Sequence, residues 1–230
     1  MKVHVLALMI AMVTVQGWAQ KHVVIEVSAA NHAKTEPIQA DLYGSGMRGV
    51  ILAHGGRFNK ESWKKQAEIL AGNGFTVLAI NYRGDTVNSD GTPSARGSDE
   101  DNAADVMAAA AYLRTLGMKA VFAIGGSLGG DAVGNADANL PAGSIDRVVF
   151  LGSEGGDAPE KLRGRKLFVV ARDDSNGSGP RLPGISKHYE RAPQPKELVV
   201  LDGSAHAQYL FDTDQGPRLM NEILQFLLAK

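Results

Sequence analysis

Ser127 sits in the stretch VFAIGGSLGGDAVGNA, with Gly125 and Gly126 before it and Gly129 and Gly130 after it. A hydroxyl without crowding side chains, placed directly after an apolar run, has the setting of a nucleophile. Gly125 to Gly129 read G-x-S-x-G, the spacing of a tight strand-to-helix turn that forces its serine into a strained backbone conformation. Residues two before and two after the serine pass so close that a Cβ would clash, which accounts for Gly125 and Gly129. The following helix would offer its N-terminus to developing negative charge. A simple capped turn is the plainer alternative. Nucleotide binding fits poorly. A dinucleotide fingerprint would need glycine where Ser127 stands, with an acidic residue at the end of the next strand, and a phosphate loop would need a lysine.

A serine needs a base, and the base needs an orienting acid. Where a nucleophile tops a parallel sheet, both partners are expected just past later strand ends, in the order Ser, acid, His. ELVVLDGSAHAQYLF supplies His206, the only histidine after Ser127 placed beyond a strand run. His188 falls in a polar helical stretch and reads as a solvated surface residue. KLFVVARDDSNGSGP ends in two carboxylates. Asp174, three residues past Ala171, is the first candidate for the acid and Asp173 the alternative. An oxyanion would be held by the backbone N–H of Leu128 and by a donor from the loop after GVILAHGG: Gly56, or Arg57 as second choice. His54 is expected to hold that loop rather than to react. Arg57 and Arg83 could meet an anionic substrate, but surface roles fit them better; the segments 86–96 and 153–162 could rim the pocket, but plain solvated loops are the better reading.

These residues need strands that end in glycine-rich loops, and the sequence provides them. HVVIEVSA alternates like a strand, and IQADLYGSG is a candidate hairpin partner. GVILAHGG, FTVLAINYRG and KAVFAIGG are short continuous apolar runs, as in strands buried on both faces. IDRVVFLGS, RKLFVVARDD and KELVVLDGS continue the series. Helical patterns lie between them. One carries Trp63, Ala67, Leu70 and Ala71. Another carries Val106, Ala109, Ala110, Leu113 and Leu116 behind a Ser98 or Asp99 cap and ends at Gly117. The last starts near Pro217 with Asp214 as the expected cap. Strands alternating with helices predict an α/β fold: a doubly wound, mostly parallel sheet with helices on both faces and no large lid.

The 230 residues suit one domain, and a formal net charge of −1 argues against a nucleic-acid binder and a polybasic membrane surface. With no cysteine, disulfides and thiolate sites are excluded. Lys2 and His4, then an apolar run from Val5 to Val15, then Gly17 and Ala19 two apart, predict an export signal over 1–19 cleaved after Ala19. Residues 20–230 would then form one exported domain, periplasmic or secreted, with no membrane anchor. The sequence leaves the oligomeric state open.

HGG at His54 to Gly56, GGSLGG at Gly125 to Gly130, ARDD at Ala171 to Asp174 and GSAHA at Gly203 to Ala207 together resemble the α/β-hydrolases. NYRG, Asn81 to Gly84, is similar to that superfamily's Asp-x-Arg-Gly with Asn in place of Asp. The size resembles that of the lidless dienelactone hydrolases, but those use a cysteine and this chain has none. The resemblance implies hydrolysis of a small-molecule acyl substrate, a carboxylic ester or else a thioester, small amide or short acyl-peptide. The reaction would pass through an acyl-enzyme on Ser127 with no metal or organic cofactor. An acyltransferase or perhydrolase would use the same residues, and a non-catalytic secreted binding protein could share the scaffold.

Overall fold

The computed structural model describes residues 20–27, 37–95 and 97–229. The expected export signal, 1–19, lies outside the described residues. Eight strands form one sheet: β1 (Lys21–Ile25), β2 (Ile38–Tyr43), β3 (Arg48–Ala53), β4 (Phe75–Ile80), β5 (Ala120–Gly126), β6 (Arg147–Leu151), β7 (Arg165–Ala171) and β8 (Lys196–Leu201). Their spatial order is β1-β2-β4-β3-β5-β6-β7-β8. The expected β1–β2 antiparallel pair is present, Val23 facing Ala40, and β2 is also antiparallel to β4. Every pairing from β4 to β8 is parallel.

Among the described residues, five α-helices cover the sheet: α1 (Lys64–Gly72), α2 (Asp99–Thr115), α3 (Leu128–Asn139), α4 (Leu182–Arg191) and α5 (Gly216–Leu228). Alternate residues of the buried strands serve opposite layers, as period-two geometry requires. On β5, Val121 and Ala123 pack with Val106, Leu113 and Val133 of α2 and α3. Phe122 and Ile124 belong to the other layer, with Trp63 and Leu70 beside α1 and Leu219, Ile223 and Phe226 of α5. Burial on both faces explains why these strands read as continuous apolar runs.

Ser98 caps α2 as expected, accepting from the Asp101 N–H at 3.1 Å. Two helix-end expectations need correction. Leu116 is exposed, because α2 ends at Thr115 and Gly117 turns the chain away with φ 84°. Asp214 does not cap α5. Gln215 occupies the cap position with helical dihedrals, and the Thr213 hydroxyl accepts from the Gln215 N–H at 3.2 Å.

β3 leads to β4 on one side and, after α2, to β5 on the other. The strand order therefore reverses between β3 and β5, where open α/β sheets bind ligands beyond the strand carboxyl ends. Ala53 pairs with Gly125 in the last register position, so the loops carrying His54–Gly56 and Ser127 leave the sheet side by side.

Candidate active site

Ser127 joins β5 to α3 with φ 51° and ψ −119°, one of two non-glycine residues with positive φ among those described. That conformation is strained for any residue bearing a Cβ. Close approaches explain the glycines around it. A Cβ on Gly125 would lie 2.1 Å from the Gly129 carbonyl oxygen, and one on Gly129 would lie 2.2 Å from that of Ala53. A Cβ on Gly130 would meet Ser153 at 2.5 Å, so this glycine admits the loop after β6. The Ser127 N–H donates to the Leu151 carbonyl at 2.9 Å, tying the turn to β6.

The loops after β7 and β8 meet. His206 Nδ1 lies 2.7 Å from Asp174 Oδ2. Asp174 is 1 % exposed, whereas the alternative, Asp173, is exposed and gives its N–H to the Gly203 carbonyl. The second Asp174 oxygen lies 3.5 Å from Arg181 Nε, and the Arg181 N–H donates to the Asp174 carbonyl at 2.9 Å. The carboxylate is thus held between an imidazole and a guanidinium. The ring stands over Gly152, where a Cβ would be 2.9 Å from His206 Nδ1. Gly152 and Ser127 line one cavity, so the glycine beneath the His206 ring is also a wall of the space at the serine.

Leu128 opens α3, so its N–H is among those that helix geometry leaves unpaired. Gly56 approaches it, with a Cβ position 3.8 Å from Leu128 Cδ1. Arg57 is exposed in a turn closed by the Phe58 N–H on the Gly55 carbonyl at 3.0 Å. His54 is fully buried, with Nε2 2.9 Å from Asp85 Oδ2, Nδ1 2.9 Å from the Gly55 carbonyl, and Tyr82 edge-on to its ring. It braces the loop, as expected. Arg83 is no free surface cation: its Nε lies 2.6 Å from Asp105, and its Nη2 reaches Asp101. Burial pushes the Asp105 carboxyl up to about 6, outweighing Arg83.

The cavity at Ser127 measures about 190 Å³ and is walled by Asp131, Ser153, Glu154, Asp157, Arg181 and His188, with Ile185 the single aliphatic side chain. Two expectations change here. The segment beginning at Ser153 is a pocket wall, not a plain solvated loop. His188 is only 16 % exposed and pairs with Glu154 at 3.1 Å, because α4 folds over that loop. Asp131, one turn beyond Ser127, accepts from Ser153 Oγ at 2.7 Å and the Gly156 N–H at 3.3 Å. Burial, with Glu154 and Asp99 nearby, raises its carboxyl above the usual range.

The fold that sets these loops beside one another is matched by the comparisons. The model of the alpha/beta hydrolase family matches residues 50–227. The chain belongs to that family. No curated protein sequence matches it. Among solved structures, an esterase from Pyrococcus furiosus superposes with TM-score 0.70 at 15% identity, covering 90% of this chain and 93% of that one. A dienelactone hydrolase from Anabaena variabilis gives 0.65 at 18%, covering 90% and 95%. A monoacylglycerol lipase from Paleococcus ferrophilus gives 0.67 at 18%, covering 84% and 98%. At these identities the likeness concerns the fold.

Proposed function

We propose that this alpha/beta hydrolase is an exported serine hydrolase that cleaves small carboxylic esters through an acyl-enzyme. The observation that carries the reading is the 2.7 Å contact between buried Asp174 and His206, set beside a serine held at φ 51°. Ser127 Oγ attacks the acyl carbon as His206 Nε2 takes its proton. Asp174 holds the Nδ1–H tautomer and stabilises the imidazolium. The N–H groups of Leu128 and Gly56 receive the oxyanion. Collapse of the tetrahedral intermediate expels the alkoxide, which His206 protonates. Water, deprotonated by the same ring, then releases the acid and restores Ser127. Thioesters and small amides present the same carbonyl. An acyltransferase or perhydrolase would divert the acyl-enzyme to an alcohol or to peroxide.

The test is a fluorophosphonate probe followed by a chain-length series of p-nitrophenyl esters alongside aminoacyl amides. The probe should label wild type at Ser127, and Ser127→Ala should lose both labelling and turnover. A Ser127→Ala protein that still turns over ester refutes the assignment. Product analysis with a competing alcohol separates hydrolysis from acyl transfer.

A further inference from the structure

Gln208, two residues past His206, uses both ends of its amide across the site. Its Oε1 accepts from the Gly55 N–H at 2.7 Å, and its Nε2 donates to Ser62 Oγ at 2.7 Å. The side chain is 6 % exposed and crosses above Gly126, where a Cβ would sit 3.3 Å from its Cγ and Oε1. Between His206 and Gln208, Ala207 has φ 51°, so successive side chains diverge sharply: His206 goes to Asp174 and Gln208 to Gly55. Phe58 and Tyr209 pack as a tilted pair across the same two loops with centroids 4.9 Å apart.

The consequence falls on the two peptide planes that meet at Gly55. The Gly55 carbonyl accepts from the Phe58 N–H at 3.0 Å, and His54 Nδ1 lies 2.9 Å from it. With Gln208 on its N–H, Gly55 has both backbone polar groups committed. In a planar trans peptide the C=O of one residue and the N–H of the next point in opposite directions. The Gly55 carbonyl shares its plane with the Gly56 N–H, and the Gly55 N–H lies in the plane before it. Gln208 holds the earlier plane, the carbonyl contacts hold the later one, and together they fix the direction of the Gly56 N–H. The Gln208 bond also withdraws the Gly55 N–H from any competing role. We propose that Gln208 is a positioning residue that locks the second oxyanion donor, Gly56 N–H, in register with the loop carrying His206. The assignment rests on the serine-hydrolase reading above. Gln208 touches no reacting atom; it acts through Gly55.

The test uses three variants of the full chain. Gln208→Met keeps length and removes both bonds, Gln208→Glu keeps an acceptor for Gly55, and Ser62→Ala removes only the far anchor. The measurements are kcat and KM on the best p-nitrophenyl ester, and the inhibition constants of the matching trifluoromethyl ketone and carboxylic acid. The ketone forms a tetrahedral oxyanion on the serine, and the acid does not. Gln208→Met should lower kcat and weaken the ketone by a common factor of about 10 to 100, somewhat less than loss of a whole oxyanion donor. KM and acid binding should stay within about twofold, because an interaction made only in the transition state leaves ground-state binding alone. Gln208→Glu should weaken ketone binding less than Gln208→Met, and Ser62→Ala should shift kcat and ketone affinity together by about threefold. Folded Gln208→Met with wild-type kcat and ketone affinity, or with a change in KM alone, overturns the assignment. If that variant does not fold, an unchanged kcat and ketone affinity in Ser62→Ala overturn it. Fluorophosphonate labelling of wild type separates the two failures. An unlabelled Ser127 removes the serine reading, whereas a labelled Ser127 with indifferent variants removes only the role of Gln208.

Discussion

Replacing Ser127 by glycine should give a more stable protein than replacing it by alanine, although both abolish turnover. The reasoning rests on the turn alone and needs no substrate. At φ 51° and ψ −119°, any Cβ is held in a region that costs about 1–3 kcal/mol. Alanine retains that cost and glycine removes it. Against this, glycine loses more backbone freedom on folding than alanine, by about 0.5–1 kcal/mol. The difference leaves Ser127→Gly ahead of Ser127→Ala by between ~0 and ~2.5 kcal/mol, centred near ~1 kcal/mol. For a chain of this size each kcal/mol moves the melting temperature by about 2–4 °C. Urea unfolding of the two variants side by side, with a check that the slopes agree, reads the difference directly. A Ser127→Ala protein more stable than Ser127→Gly would refute the claim that the fold stores strain at this serine.

Four further outcomes follow from the same geometry. Gly129→Ala must displace the Ala53 and His54 carbonyls, 2.2 and 2.6 Å from the new Cβ, and should cost about 1–3 kcal/mol in urea unfolding. Asp174→Asn should lower kcat by about four orders of magnitude by favouring the wrong His206 tautomer, while Asp173→Asn stays within about twofold; a steady-state comparison decides between them. Ester specificity should peak at short acyl groups, because the cavity at Ser127 has one aliphatic wall residue and cannot return the ~0.8 kcal/mol per methylene of full burial. Equal kcat/KM gains per carbon up to octanoate would contradict this. Asp105, raised to about 6 when folded, favours the native state fully below the ordinary carboxylate pKa of 3.8 and loses that contribution as pH rises through 6. The stability advantage of wild type over Asp105→Asn should therefore shrink by on the order of 3 kcal/mol between pH 4 and 7 in denaturant titrations.

The element order was readable because buried parallel strands announce themselves locally. Val50 to Ala53, Val121 to Ile124 and Val148 to Leu151 are apolar at consecutive positions, and each is buried in place. The elbow was readable for a related reason: Gly125 and Gly129 are demanded by contacts within the turn and with the neighbouring strand end. Asp174 and His206 follow from their places past two strand ends, so their pairing needed no knowledge of distance. What escaped reading depends on segments far apart in the chain. His188 looks like a surface residue on α4 until Glu154 and the loop after β6 meet it. Gln208 reaches Gly55 across 153 positions, and nothing around either residue signals the contact. The Asp214 cap failed on local geometry: the chain enters α5 in helical dihedrals at Gln215, no side chain caps the helix, and the Thr213 hydroxyl holds the Gln215 N–H just before it.

The glycines around Ser127 then acquire separate reasons, and together they say why the hydroxyl is uncrowded. Gly125 yields to α3, Gly129 to the end of β3, Gly130 to Ser153 on the loop after β6, and Gly126 to Gln208 on the loop after β8. Those neighbours carry, in turn, the Leu128 N–H, the proposed oxyanion loop, the pocket wall and the proposed base. A side chain at any of the four would push one of these segments outward. Turn sterics alone account for two of the glycines. Gly126 and Gly130 face approaching loops, and their smallness lets segments from distant places in the chain close around the turn. The turn therefore acts as an assembly point. Substitution at Gly126 should be felt first at Gln208 and Gly55, and only through them at Ser127.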